Sequence, residues 1–397
     1  MTARQGSPTT LLILLCMAVF LVNLSVLMLG PLLVALAHAF QTSVAIVGQL
    51  AAATAITWGI TAPLAGPASD AYGRRRMLLT GLMLMALGIL GALLAWNYTT
   101  LLVCRLLTGV GGAMVPPNSL AAIADVFPST ERGKAIGWLI SATGISAAVG
   151  VPLVAYLFGA GGWRLPFAVL GTASLVLWLL LWGWCPRSPQ PLGQAVACLS
   201  HYREVGSHAM FWHVLATNTA QQMVYFSLFG YLAAYLMQTY DLPTAATALP
   251  LALAGVGVIV GGFLGGRVAD HRRRVALFAL SCWGSGLLAA LVFTAPVSPW
   301  ATVALAGGAA ALARISFAVT ATLLLALAGN SRTTATGLFA VSNQLGVVGG
   351  ASLGGLMLAL GGFLWVGLCC LGVAVLAAVV VQLTVRESAA FLAQTQH

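Results

Sequence analysis

The chain contains twelve long apolar runs, and these constrain its fold more than any other feature of the sequence. They cover approximately residues 10–37, 44–68, 77–96, 99–123, 133–158, 164–185, 209–238, 244–268, 275–295, 299–327, 333–360 and 362–385. A helix needs about 20 apolar residues to cross roughly 30 Å of hydrocarbon, and each run meets that length. Only 6% of the residues are charged, against roughly 25% in soluble domains. So few ionised groups cannot cover a water-facing surface, which excludes a soluble enzyme or binding module. The chain has 45 Gly and 16 Pro, but no G-X-Y period and too much apolar content for disorder. An all-α integral membrane protein remains. The first run is too long for the apolar core of a secretory signal, and eleven more follow it, so it reads as an uncleaved helix.

A net charge of +10 would suggest nucleic acid in a soluble chain. The positions argue otherwise. With the N-terminus inside, Arg4, Arg74, Arg75, Arg76, Arg132, Lys134, Arg187, Arg203, Arg267, Arg272, Arg273, Arg274, Arg332 and Arg386 all fall in inner loops or tails. Arg164 alone lies outside, and Arg105 and Arg314 lie within spans. The excess of Lys and Arg on one side predicts that both termini are cytoplasmic. It replaces nucleic acid with the lipid bilayer as the partner of the charge.

The longest polar stretch, residues 186–208, divides the chain into six-span units at 1–185 and 209–397. The halves repeat at an offset near 200 residues. Gly66, Asp70 and Arg74-Arg75-Arg76 return as Gly266, Asp270 and Arg272-Arg273-Arg274; Arg132, Ala135 and Gly137 return as Arg332, Ala335 and Gly337. Two motifs in register argue for duplication, and repeated helical bundles with a site between them characterise secondary transporters. The expected architecture is twelve transmembrane helices in two pseudo-symmetric six-helix bundles.

The sharpest local motif is Gly66 to Leu78, GPASDAYGRRRML, between spans two and three. A glycine turn, a carboxylate and a basic cluster meet there at one membrane face. Asp70 can pair with arginine or cap a helix, and such a link can hold one conformer and break in another. With Gly66, Asp70, Gly73, Arg74 and Arg75 in place, this stretch resembles the loop motif of the major facilitator superfamily. The resemblance extends along the chain: Arg105, Gly109, Gly111 and Ala113 in span four, and Asp125, Arg132 and Gly133 in the loop that follows. In span five, Gly144 to Pro152 (GISAAVGVP) is similar to the glycine-proline element of the antiporter branch, with Gly150 and Pro152 set for close packing and a kink. Val151 separates the final glycine from the proline, a departure from the family pattern.

The resemblance implies alternating access around a mid-membrane site, with the Asp70 loop and its Asp270 counterpart latching the cytoplasmic side. It implies export of a small organic solute, drug-like, sugar-like or a metabolite, by proton antiport in the cell (inner or plasma) membrane. Import, symport or facilitation of a neutral or anionic solute on the same fold is the alternative. The default expectation is a monomer.

Arg105 is the most costly residue to place in lipid and defaults to a functional role. Substrate binding, proton transfer and bonding to the carbonyls of a neighbouring helix all fit it. Arg314 reads equally as a cavity charge or as an arginine snorkelling along its span. None of the seven acidic residues is central in a span. A cationic substrate would meet two buried arginines and no carboxylate, which disfavours cations. A coupled proton then needs Asp70, a histidine such as His38 or His213, or the substrate itself. The resemblance places spans one, four, seven and ten around the cavity. Their polar residues are Asn23 and Ser25, Asn118, then Asn218, Gln221, Gln222 and Tyr225, and finally Arg314 with Ser316. Each could instead tie helices together. Ser342, Asn343 and Gln344 in span eleven are also polar, and Trp58 and Phe226 can form apolar walls. There is no C-x-x-C, metal-ligand cluster, catalytic dyad or ATP-binding motif, so neither a metal nor a cofactor is expected and an enzyme is disfavoured.

Overall fold

The computed structural model describes residues 8–184, 209–269, 274–327 and 332–384. Among them every regular element is a helix. Apolar surroundings leave backbone N–H and C=O groups without water, so a crossing segment must bond to itself. Ten helices are long and apolar enough to cross a membrane. One of these, Arg332–Thr384, contains non-helical backbone at Gly361 and Gly362, where Gly362 takes a φ of +73°. That bend makes it two crossings. Ala209–Thr239 adds one more of sufficient length, more polar than the others because it carries Asn218, Gln221 and Gln222. The result is twelve crossings.

In chain order, span one is Pro8–Leu27 continued by Leu29–Ala39, span two Val44–Tyr72, span three Arg74–Leu93 and span four Tyr98–Val126. Span five comprises Ser129–Ile145, a π-helical turn Ser146–Gly150 and Val151–Gly161. Span six is Arg164–Trp184, seven Ala209–Thr239, eight Ala248–Ala269, nine Arg274–Thr294 and ten Pro299–Leu327. Spans eleven and twelve share Arg332–Thr384. Residues 186–208 and Asp270 lie outside the described residues.

Polar residues at the ends start the helices. The Ser43 hydroxyl accepts from the Ile46 amide at 3.2 Å, and the Asn97 carbonyl from the Thr100 amide at 2.7 Å. Asn97, which begins a glycosylation sequon, is therefore the cap of span four. In span five, Pro152 supplies no amide donor, and the chain widens into a π turn that ends two residues before it, at Gly150.

Glycines set the helix crossings. A Cβ on Gly111 would lie 2.4 Å from the Gly81 carbonyl oxygen, and one on Gly109 2.2 Å from that of Thr54. The glycines of the span-four motif thus let span four lie directly on spans two and three. Between spans eight and ten, a Cβ on Gly261 would sit 2.2 Å from the Ala311 carbonyl oxygen, whereas one on Gly262 meets nothing within 4 Å. Gly261→Leu therefore overpacks the crossing at a cost of about 1–3 kcal/mol or more, while Gly262→Leu faces outward. The expected result is a melting temperature lowered by several degrees for the first variant only. Equal melting of the two would refute this packing.

The halves meet near one end. Spans one and seven approach at Gly30, where a Cβ would be 3.1 Å from the Phe229 carbonyl oxygen. Spans two and eleven are tied by the Ser352 hydroxyl, which donates to Gln49 Oε1 at 3.0 Å. Spans five and eight touch at Ala148 and Gly255. Toward the other end, which carries Arg74, the side-chain bonds of Ser69, Arg74, Arg75 and Asn118 stay within the N-terminal half.

Candidate functional site

Two arginines lie within the spans, and their surroundings differ completely. Arg105 on span four is fully buried. Its Nε donates to the Thr54 hydroxyl at 3.1 Å and its Nη2 to the Ser25 carbonyl at 2.8 Å. Ser25 lies just before the interruption of span one at Met28, three residues ahead of Pro31. The guanidinium thus joins spans one, two and four, and Nη1 has no partner. A buried charge so arranged is a strong tie, because charge-assisted bonds are about twice as strong as neutral ones.

Arg314 sits midway along span ten and is only partly buried. Its guanidinium carbon lies 3.8 Å from the Tyr225 ring centroid and 5.2 Å from that of Phe317. Its Nη2 donates to Gln222 Oε1 at a long 3.5 Å, and its Nε is buried without a partner. Such stacking is worth about 0.5–2 kcal/mol. It leaves most of the guanidinium's donors uncommitted. The cation rests on an aromatic platform and faces no carboxylate among the described residues.

Span seven builds the rest of this site. Gln222 and Tyr225 are three residues apart and share one helix face with Asn218 and Gln221 nearby. The Asn218 amide donates to Ser342 Oγ at 2.8 Å and to Asn343 Oδ1 at 2.7 Å, which links span seven to span eleven. Gln221 Oε1 accepts from the Ser285 hydroxyl of span nine at 3.0 Å. Asn218 Oδ1, Gln221 Nε2 and Gln344 Oε1 are buried without partners. Buried polar atoms normally find partners, so the group offers a ligand or water several unused donors and acceptors. Span eleven can come this close because Gly346 abuts Gln222, where a Cβ would lie 2.3 Å from the Gln222 Cβ.

The remaining sequence candidates lie elsewhere. Asn23 of span one donates to the Thr143 carbonyl at 3.0 Å and to Ser146 Oγ, at the start of the π turn of span five. Gly150, at the end of that turn, packs on Leu24; Gly144 has open space beside it. Asn118 is nearly fully buried and accepts from the Ser69 hydroxyl at 2.6 Å, tying span four to span two. The structure thus groups Gln222, Tyr225 and Arg314, with Asn218 and Gln221 adjoining. It does not group them with Asn23 or Asn118. Thr54, Ser69 and Phe317 also meet these groups, and no pattern in the sequence marks them. Thr54 and Ser69 are ordinary small polar residues, and only their contacts across helices distinguish them.

At the arginine-rich end, Gly73 links spans two and three with a φ of +91°, a left-handed conformation that favours glycine. Arg74 forms an ion pair with Asp125 and donates to the Ala121 carbonyl at 3.3 Å. Both partners are about one-third exposed, and such pairs contribute about 0–1 kcal/mol. Arg75 donates to the Trp182 carbonyl. Gly66, Asp70 and Arg132 lie in helical backbone, and the side chains of Asp70 and Arg132 are outside the described residues.

Residues 15–272 match the family model described as Major Facilitator Superfamily. The chain belongs to that superfamily. This major facilitator is 31% identical over 313 residues to the 3-(3-hydroxy-phenyl)propionate transporter of Escherichia coli (strain K12), covering 75% of this chain and 73% of the relative. It is 27% identical over 282 residues to an uncharacterised facilitator-type transporter, YceJ, of Bacillus subtilis (strain 168), covering 70% and 71%. In fold it resembles a bacterial homologue of the human lysosomal transporter Spinster, solved inward-facing and unoccupied. The TM-score is 0.74 at 18% identity, over 98% of this chain and 97% of that one. This facilitator is accordingly a multi-pass membrane transporter of small solutes, not an enzyme.

Proposed function

We propose that this facilitator exports a small organic solute, neutral or anionic, across the cell membrane in exchange for protons. The observation that carries the substrate class is Arg314, a partly exposed cation lying on Tyr225 at mid-span with most of its donors free. An aromatic monocarboxylate suits it best. The carboxylate meets the guanidinium, and the ring meets Tyr225 and Phe317. The relative that carries 3-(3-hydroxy-phenyl)propionate supports this chemistry.

Residues 1–185 and 209–397 act as the two rocking units, and 186–208 connects them. The positive-inside rule puts both termini and the Arg74 end in the cytoplasm. On that orientation the contacts at Gly30, Gln49 and Gly255 close the outer side, so the cytoplasmic side is the open one. Arg74, Arg75 and Asp125, together with Gly66, Asp70, Gly73, Arg132 and Asp270, form the latch that closes it in the other state. Export is supported by span five, whose Gly144-to-Pro152 element resembles that of antiporters and contains the π turn. Driving a monoanion outward also gains about 2.3 kcal/mol per 100 mV of inside-negative potential. With no mid-span carboxylate in the sequence, Asp70, His38 or His213 carries the exchanged proton; a proton carried on the substrate would move with it, which is the symport alternative.

Proteoliposomes test the direction. A proton gradient opposed to solute flux should accelerate transport of phenylpropionate severalfold, and one parallel to it should not. Acceleration by the parallel gradient instead would establish symport, the alternative reading. A thermal-shift panel comparing phenylpropionate with its amide and its amine tests the substrate class. The carboxylate should stabilise most, because ligands that bind the folded state raise its melting temperature.

A further inference from the structure

Spans three and six leave between them a groove of about 910 Å³ beside the arginine-rich loop. Arg74, Arg75 and Arg76 stand at its head, and Leu79, Met83, Leu84, Trp178 and Trp182 line its length. Helical spacing makes this polarity regular. Arg75, Leu79 and Met83 follow one another at intervals of four residues, as do Arg76, Thr80 and Leu84. Two rows therefore run from a cation into an apolar wall. The neighbouring surface, at Leu87, Val176 and Leu179, is exposed and apolar, as befits a face turned to lipid.

Among the described residues, one carboxylate alone meets the charges at the head. Three arginines occupy the first turn of span three, where no acidic residue is present. That is the positive end of the helix dipole, which favours anions and repels cations. Arg74 is matched by Asp125. Arg75 donates to the Trp182 carbonyl across the groove, yet its Nε is buried without a partner. Arg76 is exposed and has no hydrogen-bonding or ionic partner among the described residues. Two guanidiniums thus have no counter-charge among the described residues, at the mouth of an apolar channel. Tryptophans beside them fit the membrane interface, where their rings concentrate.

We propose that this groove holds one anionic phospholipid, its phosphate on Arg75 and Arg76 and an acyl chain along Leu79, Met83 and Trp178. A soluble anion would leave the apolar walls uncovered, and a zwitterionic lipid would leave the charge unbalanced. The proposal is independent of the direction of transport and of the solute carried.

The test uses the full chain in detergent, with lipid retention followed by native mass spectrometry. The probes are dioleoyl phosphatidylglycerol, dioleoyl phosphatidylcholine and glycerol phosphate. Arg75→Gln with Arg76→Gln should weaken phosphatidylglycerol binding about thirtyfold, at about 1 kcal/mol for each arginine near the surface. Arg76→Gln alone, which removes no bond among the described residues, should weaken it about fivefold. Phosphatidylcholine should bind weakly to all three proteins. Equal retention of the two lipids, or unchanged retention in Arg76→Gln, would overturn the proposal. So would displacement of phosphatidylglycerol by an equal concentration of glycerol phosphate, which would mark a plain anion site. Retention seen only after excision of residues 189–200 would mean that the chain's own linker fills the groove, and would overturn it equally.

Discussion

Arg314→Gln lowers transport of an aromatic carboxylate about tenfold or more while leaving the protein about as stable as the wild type. Both parts follow from the surroundings of the guanidinium. Its contacts with the protein are close stacking on Tyr225, a more distant ring contact with Phe317 and one long bond to Gln222. A cation at mid-span costs about 2.5–3.5 kcal/mol on insertion scales, more than the stacking returns. Neutralising it should therefore not lower the melting temperature. A hydrogen bond between charged groups contributes about 1.5–3 kcal/mol, so losing it weakens substrate binding roughly tenfold to 150-fold. Arg314→Lys should fall between, since it keeps the charge and loses the flat contact with the ring. Transport in proteoliposomes and melting in detergent are the two measurements. Wild-type flux in Arg314→Gln would remove Arg314 from the site.

Arg105→Ala gives the opposite pattern, with transport and stability lost together. The guanidinium is fully buried and bonds to two neighbouring spans. Its removal leaves the Ser25 carbonyl and the Thr54 hydroxyl without this donor and opens a cavity where spans one, two and four meet. Each unsatisfied group costs about 1–3 kcal/mol and the cavity adds to it, for a total of about 3 kcal/mol or more. The melting temperature should fall by several degrees. An Arg105→Ala protein that melts with the wild type would show that these bonds contribute little. The two arginines, alike in the sequence as charges within spans, are thus separated by stability and not by transport alone.

That contrast marks how far the sequence is legible. Arg105 and Arg314 both stand out because a charge in a span is rare and costly. Neither apolar periodicity nor spacing says which faces protein and which faces a cavity. The same holds for the amides. Asn218, Gln221, Asn118 and Asn23 read alike as cavity-lining candidates. Asn118 and Asn23 prove to bond neighbouring helices, whereas Asn218 and Gln221 do so with one polar atom and leave another unpaired. A helix in lipid carries apolar residues on every side, so the amphipathic stripe that reveals the inner face of a soluble helix is missing. The glycine rows show the same gap. Gly261 and Gly262 are neighbours in the chain, yet only Gly261 meets another backbone.

By itself the sequence determined the number of crossings, the glycine-rich loop motif and the asymmetry of its arginines. Each of these depends on local chemistry: the length needed to satisfy a backbone in hydrocarbon, the turn at Gly73, and the cost of moving a cation across lipid. Only the tertiary structure decided which side chains meet. It put Arg314 over Tyr225 with Gln222, closed Arg105 onto Ser25 and Thr54, and opened a groove below Arg75 and Arg76. Arg314 and Gln222 are 92 positions apart and Arg75 and Trp182 are 107 apart, and such pairings depend on helix rotation and crossing, which chain-local pattern does not encode.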